Sequence, residues 1–87
     1  MMNKVFTENG WKDSVYWQTE DRKTLRRINK LIKDMLRTPF QGIGKPEPLR
    51  YDLSEYWSRR IDESHRILYT IQDDALFIAY CGTHYHQ

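Results

Sequence analysis

Between Pro39 and Pro48 the chain carries all three of its prolines and two of its four glycines. Proline fixes φ and has no amide donor, so the run Pro39-Phe40-Gln41-Gly42-Ile43-Gly44-Lys45-Pro46-Glu47-Pro48 is neither regular helix nor central strand. It splits the 87 residues into halves with different hydrophobic periods. Before it, Leu25, Ile28, Leu31, Ile32, Met35 and Leu36 recur at helical spacing, with Arg22, Arg26, Lys30, Lys33 and Arg37 along the opposite side. Pro39 ends this helix, because proline disfavours helical geometry in the residue that precedes it. After the loop the period becomes alternating. Leu49 to Leu53, Tyr56 to Glu63, Arg66 to Gln72 and Ala75 to Cys81 each read as strands, joined by tight links at Ser54-Glu55, Ser64-His65 and Asp73-Asp74. Links this short imply antiparallel neighbours.

The first residues add a short strand, Asn3 to Phe6, and a helix from Glu8 to about Gln18 with Trp11, Val15 and Gln18 on one side. Thr7 is placed to cap that helix by accepting from a first-turn amide. The expected architecture is α+β over a single domain, residues 1–87: two N-terminal helices on one face of a mainly antiparallel sheet of four to five strands. Leu25, Ile28, Ile32, Met35, Trp57 and Ile61 should form the core. The opposite sheet face should stay open and concave, with Ser58, Arg60 and Asp62 pointing outward from their strand.

Composition narrows the class. Hydrophobic residues are 39% and charged residues 30%, which suits a folded soluble domain rather than a disordered chain. The single cysteine, Cys81, allows neither an internal disulfide nor a paired-cysteine metal site. The N-terminal residues hold no apolar run long enough for a secretory leader or membrane span, so a cytoplasmic protein with no membrane association is expected. Net charge is only +2, yet residues 21–50 hold nine Lys/Arg against three Asp/Glu. Such local density attracts polyanions more than the mean charge suggests, although a solvated helix face accounts for it equally well.

Phosphate-binding glycine loops, zinc-protease helices and nucleophile elbows are all absent. His65, His84 and His86 do not form a persuasive metal set, because no cysteine or acidic cluster completes it, so no metal or cofactor is expected. Phosphoryl chemistry without a metal needs a base, cations for the phosphorane and an acid for the leaving oxygen. RNA brings its own nucleophile, the 2′-hydroxyl. Glu47, Arg50, Arg59, Arg60, Arg66, His84 and Tyr85 are residues of the right kind. Each has a plainer reading: Glu47 as an exposed loop acid, the arginines as cross-strand partners of Asp62 and Glu63, His65 as a structural hydrogen-bonding residue, and His84 and Tyr85 as chain-end residues.

The order of motifs resembles one family. Arg37-Thr38-Pro39-Phe40-Gln41-Gly42-Ile43-Gly44-Lys45-Pro46-Glu47-Pro48-Leu49 is similar to the RTPFxGxGKPEPL segment of the YoeB toxins. Tyr56-Trp57-Ser58-Arg59-Arg60-Ile61 matches their WSRRI element, Glu63-Ser64-His65-Arg66 with Tyr69 their ExHRxxY pattern, and His84-Tyr85 their closing HY. Tyr16-Trp17-Gln18 and Ile28-Asn29-Lys30-Leu31-Ile32-Lys33-Asp34 agree as well. Gly82-Thr83, where relatives often have a basic or aromatic residue, and the His86-Gln87 extension are departures.

The resemblance implies a RelE-type fold and a bacterial toxin that cuts messenger RNA in the ribosomal A site without a metal. It implies Glu47 as general base, Arg66 as phosphate-stabilising cation, His84 as general acid and Tyr85 as its supporting neighbour. Lys45, Arg50, Arg59 and Arg60 would hold RNA or phosphate, and Arg22, Arg26, Lys30 and Lys33 would meet the 70S ribosome. Implied partners are a YefM-like antitoxin, through which alone operator DNA would be contacted, and in one alternative a second copy of the chain. Two other classes remain: a ParE-like toxin that shares the fold without nuclease chemistry, and a basic nucleic-acid-binding module built on the second helix.

Overall fold

The computed structural model describes residues 2–82. Strand β1 (Asn3–Phe6) leads into α1 (Glu8–Glu20) and α2 (Arg22–Arg37). The Pro/Gly segment ends in a two-residue strand, β2 (Glu47–Pro48), and a 3-10 turn at Tyr51–Leu53 follows. β3 (Trp57–Arg60), β4 (Arg66–Gln72) and β5 (Ala75–Gly82) complete the sheet. The strand order is β1-β5-β4-β3-β2. All neighbours are antiparallel except β1 and β5, which run parallel, so the sheet is mixed but mostly antiparallel.

Capping fixes where both helices start. The Thr7 hydroxyl accepts from the Gly10 amide at 3.1 Å and itself lies 3.0 Å from the Ala79 carbonyl, tying the start of α1 to β5. Asp21 closes α1 and opens α2, its carboxylate accepting from the Lys23 and Thr24 amides. Gly10, which weakens a helix in isolation, is buried where α1 rests on β5. A Cβ there would strike the Ile78 carbonyl, so its absence sets the approach of the two elements. The buried face of α1 is Gly10, Asp13, Ser14 and Trp17, whereas Trp11 and Val15 lie on the exposed side.

The core forms between the helices and one sheet face. Ile28, Leu31, Ile32 and Met35 of α2 meet Ile61, Ile67, Tyr69, Leu76, Ile78 and Cys81 together with Trp17. Leu25 and Trp57, expected in the core, pack against it partly buried. Asp73 and Asp74 both have positive φ, the geometry of a two-residue type I′ turn that matches the twist of the strands it joins.

Two expected strands are revised. Leu49 to Leu53 is not a strand; the chain turns into the 3-10 segment, and the Thr70 hydroxyl donates to the Glu55 carbonyl at 2.8 Å. A groove of ≈ 300 Å³ lies beside it, lined by Leu53, Tyr56, Leu68 and Tyr80 among others. β3 ends at Arg60 rather than Glu63, because the Asp62 carboxylate caps the Ser64 and His65 amides and bends the chain.

Because Ile28 and Ile32 are 1% and 4% exposed within this single core, their truncation leaves voids that neighbours fill only in part. Ile28→Ala or Ile32→Ala should lower the urea-unfolding free energy by ~2–5 kcal/mol. A loss under ~1 kcal/mol at both positions would mean that α2 does not carry the core.

Candidate active site

Arg59 organises the loop that ends in Glu47. The alternation that turns Trp57 and Ile61 toward the helices turns Arg59 the same way, and its side chain is 0% exposed. All five guanidinium donors are engaged. Nε donates to the Tyr69 hydroxyl at 3.1 Å, Nη1 to Asp34 Oδ2 at 2.7 Å and the Ile43 carbonyl at 3.1 Å, and Nη2 to the carbonyls of Thr38 at 2.6 Å and Gln41 at 3.1 Å. Tyr69 passes the connection on by donating to the Pro39 carbonyl at 2.7 Å. Burial raises the Tyr69 pKa, which keeps the phenol protonated and able to donate. Asp34 also accepts from the Ile43 amide, and the Arg59 hydrogen bond holds its carboxyl below the ordinary value.

The role expected for Arg59 in holding RNA is therefore corrected. With no exposed surface and every donor occupied, it reaches no phosphate and acts within the fold. Its burial was signalled by its parity with Trp57 and Ile61. Its partner Asp34 carried no such signal.

With the loop held this way, Glu47 stands on β2 opposite Ser58 of β3. Arg66, at the start of β4, donates to the Ser58 hydroxyl at 3.0 Å and comes within 3.7 Å of the Glu47 carboxylate. The Glu47 side chain is 63% exposed and that of Arg66 29%, so this ion pair faces water and contributes little to stability. Arg60 is exposed and directly opposite Arg66 across the β3–β4 ladder. Like charges in that arrangement disfavour the fold unless an anion lies between them. On its other side Arg66 pairs with Gly82, the end of β5. His84 and Tyr85 lie outside the described residues. Ser58, expected as an outward polar residue, is buried and steadies Arg66.

Lys45 and Arg50 are exposed on either side of Glu47. Lys45 adopts a positive φ of 52°, and Arg50 precedes the 3-10 turn. Arg22, Arg26, Lys30 and Lys33 are exposed along α2. His65 faces the Asp62 carboxylate through Nδ1 at 2.9 Å and meets Trp17 edge-on, as expected of a structural histidine. Burial pushes the Cys81 thiol up to about 12, which disfavours the reactive thiolate at neutral pH. Among the described residues, no three His, Cys, Asp or Glu side chains are grouped to hold a metal ion. Nor is any described helix long and apolar enough to cross a membrane.

Residues 6–85 match the model of a family described as "YoeB-like toxin of bacterial type II toxin-antitoxin system". Toxin YoeB of Escherichia coli K12 is 52% identical over 97% of this chain and 100% of its own length. Toxin YoeB of Streptomyces coelicolor is 55% identical over the same shares. Among solved structures, a YoeB/ParE toxin from Agrobacterium tumefaciens superimposes with a TM-score of 0.93 at 43% identity, covering 97% of this chain and 100% of that one. YoeB in a heterotetrameric YoeB–YefM complex from Staphylococcus aureus gives a TM-score of 0.88 at 41% identity, over 98% of this chain and 99% of that one. A YoeB dimer from the same organism gives 0.88 at 41%, over 97% and 98%.

Asp34→Asn leaves a buried guanidinium without its counter-charge and should cost ~3–5 kcal/mol at neutral pH. The folded-state carboxyl pKa is depressed, so this contribution is complete above the unfolded value near ~4 and is lost as pH falls through the folded value. Denaturant titrations of both proteins should give a constant gap from pH 7 to 5 that narrows below ~4. A gap that widens on acidification contradicts the assignment.

Proposed function

The chain belongs to the YoeB-like toxins of bacterial type II toxin–antitoxin systems, and on that premise we propose that it is a cytoplasmic, ribosome-dependent endoribonuclease that cuts messenger RNA in the A site. The observation that carries this reading is the convergence of Glu47 and Arg66 on the outer sheet face, 3.7 Å apart, beside the strand end that leads to His84. A carboxylate next to a solvent-facing guanidinium, with a second arginine across the ladder, suits a phosphate whose neighbouring hydroxyl must lose a proton.

In the proposed step, Glu47 takes the proton of the 2′-hydroxyl as that oxygen bonds to the adjacent phosphorus. Arg66, held by Ser58, offsets charge on the non-bridging oxygens, and Arg60, Arg50 and Lys45 grip flanking phosphates. The bond from phosphorus to the 5′-oxygen breaks, and His84, supported by Tyr85, protonates the leaving oxygen. The products are a 2′,3′-cyclic phosphate and a 5′-hydroxyl end. No metal or cofactor enters this step.

Ribosome dependence is part of the proposal. The Glu47 side chain is 63% exposed and that of Arg66 29%, and a partner that grips the codon would supply the in-line geometry. Arg22, Arg26, Lys30 and Lys33, exposed on α2, are the proposed contacts to ribosomal RNA. A YefM-like antitoxin is the proposed inhibitor and a second copy of the chain a proposed assembly, since S. aureus relatives are found in both forms. Operator DNA would be reached only through the antitoxin.

With ribosomes programmed by a defined message, Glu47→Ala, Arg66→Ala and His84→Ala should each slow cleavage at saturating toxin by ~10²–10⁴-fold with little change in ribosome affinity. A message with a 2′-deoxy sugar at the cut position should resist cleavage, whereas EDTA should leave the rate intact where the ribosome survives it. Normal cutting of the deoxy message sinks the mechanism.

Neutralising Arg22, Arg26, Lys30 and Lys33 together should weaken ribosome binding and flatten its dependence on salt, because fewer counterions are released. An unchanged salt slope would place the ribosome contact elsewhere.

A further inference from the structure

One row of the ladder crosses four strands on the outer sheet face. Glu47 of β2 stands opposite Ser58 of β3, Ser58 opposite Leu68 of β4, and Leu68 opposite Tyr80 of β5. Arg66, two residues before Leu68, donates to the Ser58 hydroxyl and so shares this face, ~7 Å along the strand from Leu68. At this row β5 is irregular. Leu68 pairs with Tyr80 and Tyr69 with Ile78, so Ala79 is an extra residue without a partner on β4. A bulge of this kind increases the local twist and re-aims the side chains beside it. The Ala79 carbonyl is held instead by the Thr7 hydroxyl at 3.0 Å. Leu53, Tyr56, Leu68, Ala79 and Tyr80 come together here around the groove of ≈ 300 Å³, and Thr7 and Asn9 add polar side chains to its lining. Leu68 is 3% exposed yet stands outside the core between sheet and helices, so it is the floor of this second, smaller apolar cluster.

An aliphatic floor with two partly buried tyrosines suits a flat ring, because aromatic side chains stack on any base through its π-face. The surroundings favour the ring of a nucleotide. Arg66 and the exposed Arg60 opposite it lie on the same face, where they meet the phosphate that a seated base carries. An extended peptide gains less, since β4 and β5 are inner strands of the sheet and offer no open edge for a further strand. We propose that the groove seats the nucleobase of the nucleotide whose 2′-hydroxyl attacks, with Tyr56 and Tyr80 as its stacking residues. The base and the 2′-hydroxyl are on adjacent ribose carbons, so seating the one delivers the other to the row that ends in Glu47. The proposal rests on Glu47 and Arg66 acting on RNA as set out above, and it adds the part of the substrate that this chain itself orients.

The test uses the full-length protein at saturation on ribosomes programmed with two messages. One is natural, and the other has an abasic ribose, with its 2′-hydroxyl kept, on the 5′ side of the cut. The unsubstituted protein should cut the abasic message ~5- to 100-fold more slowly. Tyr56→Leu/Tyr80→Leu keeps apolar bulk in the groove and removes both rings. It should be slow on the natural message and lose little more on the abasic one, because ring and base act as a pair. Tyr80→Phe should recover most of the rate that Tyr80→Leu loses. An abasic penalty of equal size in the unsubstituted protein and the double variant assigns the base to the ribosome and overturns the inference. So does full activity of the double variant on the natural message; if that variant also loses a YefM-like antitoxin, the groove is a peptide site. Equal cutting of the two messages by the unsubstituted protein overturns it as well, even where the variants fail to fold. Glu47→Ala separates the two levels. If it is slow on the natural message while the abasic penalty is missing, only the groove assignment falls. If it cuts the natural message normally, the proposed chemistry falls and the groove assignment with it.

Discussion

The buried guanidinium of Arg59 is the interaction on which the rest of the architecture depends. A Pro/Gly-rich connection has few hydrogen bonds of its own to offer, since proline supplies no amide and glycine no side chain. Here three of its carbonyls, those of Thr38, Gln41 and Ile43, converge on one side chain whose charge is balanced by Asp34. Tyr69 from β4 adds a fourth through Pro39. A lysine has three donors on a flexible stem and cannot reproduce this fork of five. The cost of taking an arginine out of water is offset because every donor is used and its counter-ion is 2.7 Å away.

That buried network has a consequence at the surface. By fixing the loop between α2 and β2 it determines where Glu47 emerges, and Ser58, the residue before Arg59, fixes Arg66 on the opposite face. Adjacent residues of one strand thus serve the two faces of the sheet, one holding the scaffold and the other the site. The period-2 geometry of a strand makes this division of labour automatic.

The positive charge is divided between two surfaces with different chemistry. On α2 Arg22, Arg26, Lys30 and Lys33 form an extended exposed stripe, which suits a broad polyanionic surface. On the outer sheet face Arg60 and Arg66 are confined by the ladder and sit directly across from each other. Confinement of like charges costs free energy in the resting protein and favours an anion in that place. The nearby carboxylate of Glu47 relieves part of that repulsion in water without closing the site.

Much of this was legible in the chain. Helical spacing in residues 25–36, the stop at Pro39, the strands β4 and β5 and the turn at Asp73-Asp74 are local properties, and each stands in the structure, although an irregularity at Leu68/Tyr69 shifts the register with β5 and breaks its alternation. Family membership was legible too, because it is carried by ordered motifs spread over nearly the whole length. Glu47 and Arg66 were recognised as residues of the right kind, but their 3.7 Å approach depends on the β2–β3–β4 order. Leu49 to Leu53 reads as a strand by composition and becomes a 3-10 turn, closed by the Leu53 and Ser54 amides on the carbonyls of Arg50 and Tyr51. α1 was assigned its length nearly correctly, yet its buried face holds Asp13, Ser14 and Trp17 rather than Trp11 and Val15, since polar groups at the end of β5 needed partners. The sequence by itself determined both helices, most of the strands, their order and the chemical types available, because those follow from nearest-neighbour backbone and side-chain preferences. Only the tertiary structure decided that Arg59 is scaffold while Arg60 and Arg66 are surface, because burial and hydrogen-bond completion depend on groups distant in the chain.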